Sequence, residues 1–170
     1  KKNSIVWRGT TTGPFFIKNS NKASRSSLIE RWALNKSPII NVGLSHICQS
    51  AKINNWKSYE KYIKPCINVA EQLKYKYILS VEGNDVASNL KWVMYSNSVV
   101  FMPLPTIETW FMEGLLKPWV HFIPVKNDFS DLEDLIKWAN NNQSKCETIV
   151  RNANKYVSLF LNDKNEQKLI

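Results

Sequence analysis

Tyr75-Lys76-Tyr77-Ile78-Leu79-Ser80-Val81-Glu82-Gly83-Asn84-Asp85-Val86-Ala87-Ser88-Asn89-Leu90-Lys91-Trp92 reads as a strand, a turn and a helix in succession. The β-formers run to Val81, Gly83-Asn84-Asp85 supplies turn chemistry, and helical spacing begins with an N-cap residue at hand. A turn of this kind at the end of a strand leaves backbone N–H groups free and points the positive end of a helix dipole at whatever sits above. A diphosphate suits that place, with Ser88 and Asn89 offering neutral hydrogen bonds and Lys91 a cation. Asp85 repels such a guest unless it caps the helix or binds a sugar hydroxyl. The same residues serve equally well as a plain turn with a helix cap, because one glycine is a weaker sign than a glycine-rich phosphate loop.

Apolar β-formers separated by longer amphipathic segments recur along the chain, which is the pattern of an α/β domain with a largely parallel sheet and flanking helices. Strands are expected at 4–7, 39–42, 77–81, 98–102 and 120–125. Helices are expected at 24–34, 56–73 with a break at Pro65, 86–95, 107–115 and 132–140. A closing helix over 146–161 carries Ile149, Ala153, Tyr156, Val157 and Phe160 at helical spacing. The Ser/Asn/Lys-rich stretch 18–27 reads as a loop feeding a helix. No repeat or linker divides the chain, so residues 1–170 are expected to form one domain.

With 44% hydrophobic residues among 170, the chain can bury a sizeable core, which excludes a disordered protein. Its longest apolar runs fall far short of the roughly 20 residues that cross a bilayer. Three widely spaced cysteines without a Cys-x-x-Cys pattern, Cys48, Cys66 and Cys146, suggest neither a disulfide framework nor a zinc site. His46 and His121 are too separated to suggest a metal centre. The net charge of +9 points to anionic partners such as nucleotide diphosphates, acidic lipid head groups or nucleic acid, without choosing among them. Lys1-Lys2-Asn3-Ser4 runs straight into Ile5-Val6-Trp7. That start reads as a cut inside a longer protein, against the alternative of a mature chain trimmed after secretion.

Two further segments carry candidate chemistry. Trp7-Arg8-Gly9-Thr10-Thr11-Thr12-Gly13 ends the first strand with an arginine suited to bidentate phosphate contact, glycines that permit close approach, and hydroxyls. An ordinary polar loop has the same composition. Met102-Pro103-Leu104-Pro105-Thr106-Ile107-Glu108-Thr109-Trp110-Phe111-Met112-Glu113 places two acids after a strand end. Such carboxylates accept hydrogen bonds from a ribose or hexose diol. Glu108, expected near a helix N-terminus, equally suits a partnership with the helix dipole. The surrounding aromatic residues are expected in the core.

Together these segments resemble glycosyltransferase family 90 along most of the chain. The likeness is carried by Trp7-Arg8-Gly9, by Lys76-Tyr77-Ile78 leading to Glu82-Gly83-Asn84, by Asn89-Leu90-Lys91-Trp92 and by Ser96-Asn97-Ser98-Val99-Val100. Most specific is Leu116-Lys117-Pro118-Trp119-Val120-His121-Phe122-Ile123-Pro124-Val125-Lys126, followed by Asp128-Phe129-Ser130-Asp131-Leu132. The resemblance implies a GT-B enzyme of two Rossmann-like lobes, of which this chain is the C-terminal, UDP-sugar-binding lobe. It implies inverting transfer without a required metal ion or cofactor, the general base lying on the N-terminal lobe. By this resemblance Arg8 stands near the donor phosphates and the turn with Gly83, Asn84, Asp85, Ser88 and Asn89 forms the donor loop. From the chemistry of the residues, Gly9 and Thr10 are expected beside Arg8 in the site, and Glu108 or Glu113 is expected to fix a ribose diol. Animal protein O-glucosyltransferases carry an arginine near the place of Asn89 or Leu90; this sequence has none, and Lys91 is the nearby cation. The Glu82-Gly83-Asn84-Asp85 and Pro105 to Trp110 versions resemble the bacterial branch, which implies a surface glycan such as lipopolysaccharide as acceptor, and no nucleic acid. A cytoplasmic location, with peripheral contact to the inner membrane, follows from the basic surface and unpaired thiols. The rival reading is a basic Rossmann-like module that binds nucleotide or nucleic acid without chemistry.

Overall fold

A computed structural model describes residues 1–13, 22–49 and 55–161. Residues 18–21 of the loop expected at 18–27 lie outside the described residues. Five parallel strands, β1 (Lys2–Thr10), β2 (Ile40–His46), β3 (Tyr75–Leu79), β4 (Val99–Met102) and β5 (Ile123–Pro124), form one sheet in the order β2-β1-β3-β4-β5. The α/β expectation therefore holds. The near-continuous burial of β1, β3 and β4 follows from helices covering both faces.

Strand alternation sorts the core. Ile5, Trp7, Tyr77, Leu79 and Phe101 face one side, against Leu28 and Ile29 of α1 (Arg25–Trp32), Leu132 and Ile136 of α4 (Leu132–Asn141) and the first half of α5 (Gln143–Ser158). Val6, Ile78, Val100 and Met102 face the other, against Val93 and Met94 of α3 (Leu90–Tyr95), Phe111, Leu116 and the second half of α5. One long helix thus serves both cores. Trp32 is buried and donates its indole N–H to Phe129 O at 2.8 Å, which satisfies the polar edge of a large apolar group.

Helical periodicity overstates the helices that form. The 56–73 pattern resolves into a 3₁₀ helix (Trp56–Tyr62), an extended break through Pro65, and the short α2 (Val69–Gln72) capped by the Asn68 side chain. The 86–95 pattern is helical only from Leu90. Gly83 N donates to Asp85 O, Asp85 Oδ1 accepts from Val86 N, and the Asn89 side chain turns back onto the strand, so a series of turns fills 83–89. The 107–115 segment is not an α-helix, and only Glu113–Leu115 forms a 3₁₀ turn. Met112 adopts a left-handed φ of 52°, and the Glu113 carboxylate captures the Thr109 amide and hydroxyl. The strand expected at 120–125 is confined to two residues, because 117–122 folds into a tight turn closed by Trp119 N to Phe122 O.

Candidate donor site at the strand ends

β1 leads towards β2 on one side of the sheet and β3 leads towards β4 on the other, so the connections diverge between β1 and β3. Ligands of open parallel sheets bind at such a divergence, outside the carboxyl ends of the strands. Here the two exits touch. Gly13 N donates to Asn84 Oδ1 at 2.9 Å. A Cβ on Gly13 would lie 2.7 Å from the Gly83 carbonyl carbon, and its φ of 92° is one that glycine alone adopts freely. A Cβ on Gly83 would lie 2.8 Å from Thr12 Oγ1 and 2.9 Å from Arg25 Nη2. Gly13 therefore has to be glycine, and at Gly83 a side chain would displace Thr12 and Arg25 from their present contacts.

Arg25 braces this junction. Its guanidinium donates to Thr10 O, Thr12 Oγ1, Val81 O and Glu82 O, joining the exits of β1 and β3. Ser24 caps α1 by accepting from Ser27 N, which sets Arg25 as the first residue of the helix. A cation there opposes the helix dipole, and the first turn holds no acid. Among the described residues no carboxylate pairs with Arg25. Burial lowers its pKa from the ordinary arginine value, opposed by the nearby Cys48 thiol. The outcome is a half-buried positive charge at the Gly13–Gly83 contact, in a place where helix stability alone gives it no reason to be.

The residues singled out from the sequence divide into groups. Asn84, Asp85 and Ser88 are exposed on the 83–89 turn, beside the buried Gly83. Thr10 belongs with them through the Arg25 bond and a 3.3 Å contact between its hydroxyl and that of Thr12. Arg8 is not brought to this turn. It lies on the Val6 face, where its guanidinium donates to Trp7 O, Asn41 O, Asn41 Oδ1 and Pro65 O. Burial lowers its pKa as well. Gly9 lies in β1, where a Cβ would strike the Trp7 ring at 2.3 Å. Asn89 also looks inward, accepting from Ser80 Oγ and donating to Leu79 O.

Lys91 is in the first turn of α3, since the helix expected from residue 86 starts at Leu90. Its ammonium lies 3.7 Å from Glu113 Oε1 and 5.0 Å from the centre of the Trp110 ring. Glu113 is 1% exposed, and both of its oxygens accept from Thr109. Glu108 is exposed and has no helix N-terminus beside it. Between the 83–89 turn and the exit of β4 lies a small cavity lined by Ser80, Glu82, Ala87, Met102, Thr106 and Glu113. Removing the buried carboxylate with Glu113→Ala strands the Thr109 amide and Lys91. The expected cost is about 2–4 kcal/mol, read from the urea midpoint. A loss no larger than that of an ordinary surface substitution would mean that water replaces those contacts freely.

Sequence reasoning passed over Arg25, and took Thr12 and Gly13 only as part of the polar loop after β1. A cation in the first turn of the helix that follows β1 was the available signal, because that helix start sits at the carboxyl end of the sheet by topology.

Among the described residues no helix is long and apolar enough to cross a membrane. The family model for glycosyl transferase family 90 matches residues 1–167. O-glucosyltransferase LpsA of Dichelobacter nodosus is 37% identical over 166 residues, 98% of this chain and 46% of that protein. Protein O-glucosyltransferase 1 of Rattus norvegicus is 27% identical over 160 residues, 88% of this chain and 39% of that protein. The chain thus spans less than half the length of these relatives. The crystal structure of Anabaena Alr3699/HepE in complex with UDP shares the fold, with a TM-score of 0.58 at 14% identity, covering 98% of this chain and 48% of that one. A match over nearly every residue, on a parallel sheet whose strand ends are built as described, identifies the chain as a member of glycosyl transferase family 90.

Proposed function

We propose that this chain is the donor-binding lobe of a two-lobed GT-B glycosyltransferase that transfers a sugar from a UDP-sugar to a glycan. The observation that carries the reading is the un-neutralised Arg25 at the Gly13–Gly83 contact, where the 83–89 turn and a fixed charge meet at the divergence of β1 and β3. A pyrophosphate placed there gains charge-assisted hydrogen bonds without forcing a side chain aside. As the glycosidic bond breaks, negative charge grows on the departing diphosphate, and donors already fixed in place stabilise it at no cost of reorganisation.

In this reading Gly83, Asn84, Asp85 and Ser88 line the donor, Lys91 supplies a second cation, and Glu108 meets the ribose, since Glu113 is buried and held by Thr109. Arg8 and Asn89 support the site by bracing the strands beneath it. Inversion at the anomeric carbon, independence of metal, and a general base on a partner lobe complete the proposal, following the family resemblance. The name of the Dichelobacter relative and the sequence branch favour a surface glycan such as lipopolysaccharide as acceptor. The basic surface favours work at the cytoplasmic face of the inner membrane.

Titration calorimetry with the whole enzyme tests the donor assignment. UDP is expected to bind more tightly than a single-stranded RNA oligonucleotide of matched concentration. Tighter binding of the RNA, falling steeply with salt, would instead support a nucleic-acid module.

A further inference from the structure

We propose that Glu82 is a positioning residue of the donor site, holding the 104–109 segment in place over the Gly83 turn; this rests on the donor reading above. The Glu82 carboxylate, at the exit of β3, accepts from Thr106 N at 2.8 Å, Ile107 N at 3.2 Å and Thr106 Oγ1 at 2.6 Å. Among the described residues no other hydrogen bond ties 104–108 to the rest of the chain. The segment has no regular structure of its own to set its position. Among the described residues its hydrogen-bonded anchorage therefore rests on one side chain.

The backbone that carries it is itself held, because Arg25 Nε donates to the Glu82 main-chain carbonyl. A continuous set of contacts thus runs from Thr10 and Thr12 at the end of β1, through Arg25 and Glu82, to Thr106 and Ile107 beyond β4. A nucleoside diphosphate anchored between β1 and β3 must extend along the strand ends. On the β4 side it meets the small cavity, the exposed Glu108, and Trp110 with Lys91 over its ring. Glu82 thereby sets the spacing between the part of the site that holds phosphate and the part that holds the nucleoside.

The hydrogen-bond pattern separates position from charge. Oε1 accepts both amides, and Oε2 accepts only the Thr106 hydroxyl. In Glu82→Gln the carbonyl oxygen keeps both amides, while the new amide group donates to the same hydroxyl, whose proton rotates away. Geometry survives and charge is lost. Glu82→Ala removes both.

The test is calorimetric titration of UDP and of inorganic pyrophosphate into the whole enzyme, wild type and both variants, with deuterium exchange of the 104–109 amides alongside. In Glu82→Ala, UDP affinity is expected to fall roughly tenfold or more while pyrophosphate affinity changes less than about threefold, because only the nucleoside half loses its place. The Ile107 amide exchanges faster in that variant, and Glu82→Gln restores UDP binding to within about threefold of wild type. Equal loss of both ligands in Glu82→Ala, wild-type UDP binding by it, or failure of Glu82→Gln to rescue would each overturn the assignment. If Glu82→Ala does not fold, Thr106→Val removes the hydroxyl contact alone and is expected to weaken UDP and spare pyrophosphate; an unchanged UDP affinity would count against Glu82. Wild-type enzyme that binds neither ligand overturns the donor reading itself, and Glu82's part with it.

Discussion

Arg25→Ala is expected to lower the stability of the fold by about 2–4 kcal/mol and to weaken UDP binding at least roughly tenfold. The variant removes the donor side of four hydrogen bonds at once, leaving three strand-end carbonyls and the Thr12 hydroxyl to find new partners in a half-enclosed place. It also takes away the fixed charge at the Gly13–Gly83 contact. Arg25→Lys distinguishes the two contributions, since a lysine restores the charge without the planar fork that spans β1 and β3. It should recover more of the binding than of the stability. Urea midpoints and calorimetric titration read the two quantities separately. If Arg25→Ala bound UDP as tightly as wild type, the charge would have no part in holding the donor.

Gly13→Val is expected to be of similar size, at about 2–4 kcal/mol with loss of UDP binding. Two costs combine at this residue. Its φ of 92° strains any side chain, and the added Cβ meets the backbone of Gly83, which cannot swing aside as a side chain would. Relief requires that the exits of β1 and β3 separate, which dismantles the site. Gly114→Ala provides the contrast: its Cβ would approach only the far end of the Glu108 side chain, at 3.2 Å from Oε1. That variant should stay within about 1 kcal/mol of wild type. Equal tolerance at the two positions would show that the Gly13–Gly83 contact is not a constraint on the fold.

The sequence made the sheet legible because strands buried on both faces read as continuous apolar runs between turn residues. Tyr77 to Val81 leading into Gly83 is the clearest of them. The site was legible as a place and less so as a set of side chains. Gly83, Asn84 and Asp85 belong to a turn at a strand end whatever their neighbours do. Arg8 drew notice for its chemistry, yet residue type does not say where a guanidinium points. Alternation along β1 sets it on the Val6 face, and there β2 and Pro65 supply its acceptors.

Arg25 escaped notice for the opposite reason, standing in a polar stretch that reads as a loop feeding a helix. Its partners are backbone carbonyls of residues far along the chain, Val81 and Glu82 among them. The 107–115 segment shows a third limit. Its spacing suits a helix, but a buried carboxylate at Glu113 captures the Thr109 amide and hydroxyl, and a left-handed Met112 interrupts the turn. Periodicity registers none of these long-range or buried polar contacts.

A crystal structure of the whole enzyme soaked with UDP decides where the donor sits. The pyrophosphate is expected at the Gly13–Gly83 contact, within hydrogen-bonding reach of backbone amides in 83–89, and the nucleoside directed towards Glu108 and Trp110. UDP seated at the amino ends of the strands, or against β2 with Arg8 released from Asn41 to bind it, would remove the Gly13–Gly83 junction from donor binding.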